Sequence, residues 1–183
     1  MHALISMTHL CSCALDKGDS ARVLFIDYAF DHVDHTILLN KLISLDVPHC
    51  LVKWMFSFLN GRRQRVKINF TFSDWITLKG GMPQGTWLGP LTFIILLDDL
   101  NLPCAVHEFV DDTTITEILT ARQTPSVIDD NVHYLVNWSR SNKMLTNYSK
   151  TKEMILGNAK SNPPPTLLIE GKKIERVSSF KLL

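Results

Sequence analysis

The fold is decided by residues 109–115, Phe-Val-Asp-Asp-Thr-Thr-Ile. An apolar pair precedes two adjacent acids and a β-branched run follows them, which predicts a hairpin whose tight turn carries the acids. Such a turn holds Asp111 and Asp112 rigidly, although neighbouring carboxylates repel each other. A divalent cation removes that repulsion, so the segment is a candidate metal site.

Two further Asp-Asp pairs have more ordinary settings. Residues 98–99 close an apolar run that looks helical, and residues 129–130 fall in a predicted amphipathic helix. Paired acids on a helix usually form a solvated face. The pair at 111–112 is distinguished by its strand-like context.

Composition sets broad limits. With 183 residues, 45% of them hydrophobic and 20% charged, the chain predicts one globular domain and excludes disorder as the default. The net charge of +1 argues neither for nor against a nucleic-acid partner, so any basic surface must be local. Four cysteines lack the paired spacing of a zinc ribbon or a disulfide framework, and they are predicted to be reduced and mostly buried.

No membrane segment is predicted. The longest apolar run, residues 87–97, contains Gly89 and Pro90 and is shorter than the about 20 residues that a spanning helix needs. The first 14 residues lack a basic leader, so a signal peptide is not expected and an intracellular location is predicted.

Hydrophobic periodicity predicts alternating helices and strands. In helix 125–141, positions 127, 128, 132, 135, 136 and 138 are predicted to face inward. The predicted elements are helices over 3–16, 36–45, 48–59 and 125–141 and from Pro90, strands over 21–28, 62–68 and around 153–156, a hairpin over 166–177 after a stiff linker at 163–165, and a last strand at 180–183.

Asp27 ends the strand predicted over residues 21–28. An acid at the end of an apolar run is costly unless it is compensated. It is therefore near solvent, paired with a cation, or capping the next turn.

A local basic patch occurs in residues 62–68. Period-two alternation puts Arg63, Arg65 and Lys67 on one face. The patch is either a phosphate-backbone contact or a solvated edge strand whose charges block aggregation. Three aromatic residues follow it closely, namely Phe70, Phe72 and Trp75.

Residues 79–90 form a loop with four glycines and two prolines. Glycine allows unusual backbone angles and lets a ligand approach the backbone closely, although a glycine-rich loop by itself is more often plain turn chemistry. Gln84 is the strongly polar amide of this loop and can both donate and accept hydrogen bonds.

Three stretches, residues 25–35, 81–90 and 109–112, resemble in order and spacing the motifs of reverse transcriptases of the non-LTR (LINE-like) retrotransposons. Residues 147–152 resemble the lysine motif that follows, and residues 179–183 resemble the start of the next one. The resemblance covers nearly the whole chain. It implies an α+β fold, with a palm-like antiparallel sheet packed on helices, partial fingers and no thumb, divided into residues 1–162 and a C-terminal hairpin at 163–183 that leads towards the thumb.

The resemblance also implies residue roles. Asp27 and Asp111 would bind two Mg²⁺ ions, with Mn²⁺ as an alternative, and Asp112 would complete the carboxylate cluster. Phe30 would crowd the sugar 2′ position and Lys150 would lie near the leaving phosphates. The loop residues implied to touch template or incoming nucleotide are Gly81, Pro83, Gln84 and Gly85.

The implied partners are an RNA template, a DNA primer and deoxynucleoside triphosphates, with no membrane and no prediction of oligomeric state. The location would be the nucleus or the cytoplasm. We expect Arg63, Arg65 and Lys67 to line one side of the cleft over the acidic site.

The sequence departs from the family pattern after Asp27. The family usually has three residues between its metal-binding Asp and the Ala-Phe-Asp that follows. Here Tyr28 is the single residue between Asp27 and Ala29. Loss of an even number of residues preserves strand facing, but the shortened turn must re-aim Phe30 or Asp27. Val110 is also bulkier than the alanine common in the family. We therefore expect little polymerase activity from this chain alone.

Three hypotheses follow. The chain is a fragment of a retroelement reverse transcriptase, which performs template-directed nucleotidyl transfer. Alternatively, it is a decayed palm that binds nucleic acid or protein without chemistry, which the shortened turn favours. A third hypothesis is an unrelated α/β domain with capping acids, and the three motifs in register argue against it.

Overall fold

The computed structural model describes residues 2–28, 33–78, 80–83, 85–109, 112–120 and 126–181. The chain divides into two units, neither of which is contiguous in sequence. Unit 1 comprises Met1–Ala29, Leu100–Ser141 and Leu145–Leu183, and unit 2 comprises Phe30–Asp99 and Asn142–Met144.

Helices and short strands alternate along the described residues. The helices are α1 (His2–Asp16), α2 (His35–Ser44), α3 (His49–Leu59), α4 (Leu88–Leu97) and α5 (Ile128–Ser141). The strands are β1 (Ser20–Asp27), β2 (Arg63–Gln64), β3 (Lys67–Ile68), β4 (Thr71–Phe72), β5 (Ile76–Thr77), β6 (Ala105–Phe109), β7 (Asp112–Leu119), β8 (Lys152–Leu156), β9 (Leu168–Ile169), β10 (Lys172–Lys173) and β11 (Glu175–Arg176).

Unit 1 is built on a five-stranded sheet with the order β11-β8-β1-β7-β6. β1 pairs antiparallel with β7 and β8, β6 pairs antiparallel with β7, and β11 pairs parallel with β8. β1 is central because its run is buried on both faces, from Ser20 to Ile26. Asp27 is the first β1 residue that reaches partial exposure.

Helix α1 covers one face of this sheet. Its Met7 and Cys11 pack in a buried cluster with Ala21, Val23 and Phe25, which alternate along β1. The β1 residues between these three, Arg22 and Leu24, point to the opposite face of the sheet. The sheet therefore has apolar surface on both sides, as its central strand requires.

A buried ion network fastens the proline linker to unit 1. Arg22 Nε donates to Glu153 Oε1 at 2.6 Å, and both side chains are almost fully buried. Arg176 Nε donates to the other Glu153 oxygen at 2.8 Å. The two guanidinium groups also donate to the carbonyl oxygens of Pro165 and Pro164. These bonds compensate charges that would otherwise be costly to bury.

Unit 2 contains α2 to α4 and the strands β2 to β5. Asp34 caps α2, because its Oδ1 accepts from the amides of Thr36 and Ile37. Its Oδ2 accepts from Lys143 Nζ at 2.8 Å, and this bond is the main reason that the pKa of Asp34 lies below its ordinary value. Helix α2 contacts both α3 and α4.

The predicted continuous strand over residues 62–68 is wrong. β2 pairs with β5 and β3 pairs with β4, so the strand is interrupted at Arg65 and Val66. The Val66 amide donates to Ser73 Oγ at 2.9 Å, and the Ser73 amide donates to Val66 O at 3.0 Å. A side-chain hydroxyl thus takes a position that a ladder bond would occupy, which alternation cannot predict.

Two helix starts also differ from the predictions. Helix α4 begins at Leu88, two residues before Pro90, because proline is tolerated in a first turn whose amides lack acceptors. Helix α5 begins at Ile128, and Val127, predicted to face inward, is 46% exposed. The Val127 amide donates to Glu117 Oε1 instead, at 2.6 Å.

The prediction that the cysteines are mostly buried is wrong as well. All four are free, but Cys11 alone among them is fully buried, and Cys50 is exposed. Residues 179–181 are not a strand, since Phe180 is held by stacking on Phe25 rather than by backbone pairing.

The remaining predicted elements are confirmed to within a few residues, including the hairpin of β6 and β7. In the part of the chain that the structure describes, no helix has the length and apolarity needed to cross a membrane.

Candidate functional site

β1 and β7 bring two of the three predicted carboxylates together. Asp27, the last residue of β1, lies directly opposite Asp112, the first residue of β7. Residues paired in this way project from the same face, with Cβ atoms about 5 Å apart. Asp112 also pairs with Phe109 of β6, and two residues lie between them in the chain. Those two, Val110 and Asp111, lie outside the described residues.

Lys150 lies beside this pair. Its Nζ is 3.4 Å from Asp27 Oδ2, and the Lys150 side chain is 68% exposed. An exposed ion pair contributes at most about 1 kcal/mol. Two carboxylates about 5 Å apart repel by about 1 kcal/mol in water and about 3 kcal/mol at an effective dielectric of about 20. Lys150 therefore offsets part of the repulsion, and these three groups keep a formal charge of −1.

A small pocket of unit 1 adjoins the carboxylates. Its lining includes Phe25, Asp27, Asp112, Lys150 and Phe180. The rings of Phe180 and Phe25 stack with centroids 4.1 Å apart and planes 10° from parallel. Because Phe25 precedes Asp27 by two residues, both project from the same face of β1. The stacked rings thus form an apolar wall beside the acids.

The turn after Thr146 places Lys150. The Asn147 amide donates to Asp27 O at 2.8 Å, and Thr146 forms an isolated antiparallel bridge with Tyr28. The Lys150 amide donates to Asn147 O at 3.1 Å. These bonds tie the turn to the end of β1, so the position of Lys150 follows that of Asp27.

A polar cluster around Tyr148 also holds the turn that carries Lys150. Tyr148 Oη donates to Glu170 Oε2, Arg140 Nε donates to Glu170 Oε1 at 2.9 Å, and Lys172 Nζ lies 4.5 Å from the Tyr148 ring centroid. Burial, followed by the hydrogen bond to Glu170, raises the pKa of Tyr148 to about 12. The bond from Tyr148, followed by that from Arg140, lowers the pKa of Glu170. The turn is therefore anchored to the hairpin of β9 and β10.

The glycine loop lies in unit 2, and His35 holds it in place. The Gly81 amide donates to Val33 O at 2.9 Å, and His35 Nε2 donates to Gly81 O at 2.7 Å. Gly81 has a φ of 76°, and a Cβ at Gly80 would lie 3.0 Å from Val33 O. Both positions therefore favour glycine for backbone reasons.

The predicted loop residues contribute to a groove of about 650 Å³ in unit 2. This volume is in the range of small-molecule sites. Gly81 and Pro83 line the groove together with His35, Arg62 and Arg63. Gly85 lies just beyond, with a φ of 74°. Gln84 lies outside the described residues.

The three predicted basic residues converge on two aromatic rings although their strand is broken. Arg65 lies over both Phe72 and Trp75, Arg63 over Trp75, and Lys67 over Phe72. These contacts group the three cations around the same two rings.

The carboxylates fit a hard divalent cation, because Mg²⁺ prefers oxygen ligands. Within the described ranges, which omit Asp111, no group of three or more His, Cys, Asp or Glu side chains is placed to hold a metal ion. Asp27 and Asp112 are thus the described part of the predicted site. Phe30 also lies outside the described residues.

Comparison with known proteins identifies the family. A family model described as "Reverse transcriptase (RNA-dependent DNA polymerase)" matches residues 2–183. This chain belongs to the reverse transcriptase family. The sheet of unit 1, which is antiparallel except for the pairing of β11 with β8, and its helices are compatible with a palm-like part of such an enzyme.

Relatives of this reverse transcriptase domain come from transposons of LINE-like type. It is 28% identical over 167 residues to the probable RNA-directed DNA polymerase from transposon X-element of Drosophila melanogaster, covering 86% of this chain and 18% of the relative. It is 34% identical over 96 residues to the probable RNA-directed DNA polymerase from transposon BS of Drosophila melanogaster, covering 51% of this chain and 10% of the relative. It is 26% identical over 183 residues to the RNA-directed DNA polymerase from mobile element jockey of Drosophila funebris, covering 93% and 20%.

The chain therefore spans a fifth or less of each relative's length. The match confirms the resemblance to reverse transcriptases of non-LTR retrotransposons that motifs at residues 25–35, 81–90 and 109–112 had indicated.

Sequence reasoning missed three residues that position the predicted ones. His35 is the last residue of the first motif, and its place directly after Asp34 was a signal for a contact near the start of α2. Tyr148 lay in the lysine motif, next to the turn it anchors. Glu170 gave no signal, because its role depends on the fold of the C-terminal hairpin.

Proposed function

We propose that this chain carries catalytic carboxylates of a retroelement reverse transcriptase, which extends a DNA primer on an RNA template. The observation that supports it most directly is the pairing of Asp27 with Asp112 at one end of the unit 1 sheet. Family membership supplies the class of reaction. The geometry supplies candidate residues for it.

Asp27 and Asp112, together with Asp111, would hold two Mg²⁺ ions, with Mn²⁺ as an alternative. Such ions would supply the charge needed to activate the primer 3′-hydroxyl and to stabilise the leaving pyrophosphate. The strands contribute rigidity, since both acids sit at the ends of one antiparallel ladder. Rigid placement matters because a displacement of about 1 Å can lower the rate by on the order of 100-fold.

Lys150 would neutralise charge on the leaving phosphates. Its ammonium group is tied by the Asn147 turn to the end of β1, yet its side chain is mostly exposed. It can therefore reach an incoming triphosphate without a change in the backbone. A lysine acts on phosphate as a point charge, which tolerates such mobility.

The glycine loop would contact template or incoming nucleotide through Gly81, Pro83, Gln84 and Gly85. The hydrogen bond from His35 Nε2 to Gly81 O supports this role, because it fixes the loop backbone on the start of α2. Phe30 would crowd the sugar 2′ position and favour deoxynucleotides.

Arg63, Arg65 and Lys67 would contact phosphates of the template. Unit 1 would correspond to the palm and unit 2 to the fingers, with residues 163–183 leading towards the thumb. Deoxynucleoside triphosphates would be the substrates, and the nucleus or cytoplasm the location.

Primer extension tests this function. The purified chain is incubated with a primed RNA template, Mg²⁺ and deoxynucleotides. A variant that has two residues inserted between Tyr28 and Ala29, and that is extended to include finger and thumb segments, is treated in the same way. We expect little extension from the unmodified chain, extension from the inserted variant, and loss of that extension with Asp111→Ala or Asp112→Asn. Robust extension that survives both substitutions would contradict the assignment of these acids.

A second function is nucleic-acid binding without chemistry, by a decayed palm. The observation that favours it is the short connection of Tyr28 alone between Asp27 and Ala29. In that case neither the unmodified chain nor the variant with the two-residue insertion extends a primer, although each binds the template. Robust extension by the unmodified chain, abolished by Asp111→Ala, would instead contradict the view that the short turn is damaging.

A further inference from the structure

Residues 63–75 present a ladder of alternating cations and aromatic rings. The Arg65 guanidinium lies 3.9 Å from the Phe72 centroid and 4.5 Å from that of Trp75. Arg63 lies 5.6 Å from Trp75, and Lys67 Nζ lies 5.4 Å from Phe72. These five side chains, the cation–aromatic ladder, form one surface of unit 2.

The ladder concentrates positive charge. Residues 62–77 contain four cations and one carboxylate, Asp74, in a chain whose net charge is +1. Among the residues that the structure describes, none of the four cations forms an ion pair with a carboxylate. Cations grouped without acidic partners on a surface are complementary to a polyanion.

Phe70 stands beside the ladder at the turn between β3 and β4. Its side chain is 97% exposed, and Val66 and Ile68 nearby are 62% and 68% exposed. Exposed apolar surface grouped in this way marks a binding site more often than scattered single residues do. An aromatic ring so exposed is open to stacking by a nucleobase, and such stacking tolerates any sequence.

We propose that the ladder and Phe70 bind single-stranded nucleic acid, with the cations on phosphates and the Phe70 ring stacked on an unpaired base. In a duplex the bases are stacked on each other, so Phe70 would have no partner. The inference rests on the proposed function for the identity of the strand, an unpaired segment of the RNA template. Its physical basis, however, lies in unit 2 alone.

Fluorescence anisotropy on the full chain tests the proposed binding of single-stranded nucleic acid. The labelled probes are a 12-nucleotide oligouridylate, an abasic oligomer with the same number of phosphates, and an RNA–DNA duplex. Phe70→Ala should weaken binding of the oligouridylate by about tenfold and leave the abasic oligomer unchanged, because one base can no longer stack. Arg65→Gln should weaken binding of both oligomers and lower the salt slope by about 0.7 for each phosphate that is no longer neutralised.

The matched control is Tyr134→Ala on α5, which removes an aromatic ring that is 45% exposed and lies in unit 1. It should leave both affinities unchanged. Equal affinity of the wild-type chain for the base-containing and abasic oligomers would overturn the stacking role. Binding to anionic phosphatidylserine vesicles that depends on Phe70, without binding to either oligomer, would overturn the proposal in favour of a lipid surface.

The assay contains no divalent ion and no deoxynucleoside triphosphate, so it separates this inference from the proposed function. Loss of primer extension in Asp112→Asn would leave the anisotropy result unchanged. Failure of the anisotropy prediction would leave the acidic site untouched.

Discussion

Asp27 and Asp112 carry like charges at adjacent positions of two strands, an arrangement that destabilises a sheet unless a cation is present. Lys150 supplies one positive charge, 3.4 Å from Asp27. Neighbouring residues hold that lysine through backbone bonds and through the Tyr148 cluster. At the scale of single residues, the site is thus a set of opposed charges whose positions depend on hydrogen bonds that the sequence motifs do not reveal.

The Tyr148 cluster has a defined pH dependence. The folded-state pKa of Tyr148 is raised, so its contribution to stability is complete below the ordinary value of 10.0 and is lost as the pH rises through about 12. The folded-state pKa of Glu170 is lowered, so its contribution is present above the ordinary value of 4.5 and is lost as the pH falls through the folded value.

We therefore predict that Tyr148 titrates near pH 12, and that Glu170→Gln lowers this pKa without restoring 10.0, because burial remains its largest cause. The measurement is the difference in tyrosinate absorbance between the wild-type chain and Tyr148→Phe. A Tyr148 that ionises near pH 10 in the wild-type chain would contradict both the partial burial of this side chain and its hydrogen bond to Glu170.

Among the elements, the central strand β1 carries both the site and a buried charge. Arg22 on β1 forms an ion pair with Glu153 on β8, which lies diagonally across the ladder, opposite Leu24. Arg176, which follows the linker, completes the network. A buried pair adds little net stability compared with an apolar pair, but removing one partner leaves an uncompensated charge. The network therefore makes the C-terminal segment sensitive to single substitutions.

Glu153→Gln should lower the free energy of unfolding by about 3–5 kcal/mol, since Arg22 would remain buried without its carboxylate. Urea unfolding followed by circular dichroism measures this. The control is Glu175→Gln, which breaks the more exposed pair with Lys152 and should cost at most about 1 kcal/mol. Equal effects of the two substitutions would mean that the buried network does not stabilise unit 1.

Most elements could be predicted because their signals are local. Apolar spacing gave α2 and α3, and the acids flanked by β-branched residues gave the hairpin of β6 and β7. The break at Arg65 and Val66 could not be predicted, because it depends on the Ser73 hydroxyl bonding across the strands. The start of α5 likewise depends on a distant acceptor, Glu117.

At the scale of the whole chain, the sheet order β11-β8-β1-β7-β6 is what places Asp27 opposite Asp112. Spacing and motif order supplied both acids as candidates, but the register comes from pairing between strands far apart in sequence. The β1 ladder keeps its register as far as Asp27, so the short connection that follows does not displace this acid from its partner.

Mn²⁺ binding to the full chain, measured by isothermal titration calorimetry, tests most directly whether Asp27 and Asp112 form a divalent-cation site. Asp27→Asn should weaken Mn²⁺ binding by about tenfold or more, because a carboxylate ligand is lost. Lys150→Gln should tighten it by up to about fivefold, because a competing cation is removed. Asp98→Asn, a substitution at the exposed end of α4, should have no effect. Unchanged Mn²⁺ affinity in Asp27→Asn would contradict the account.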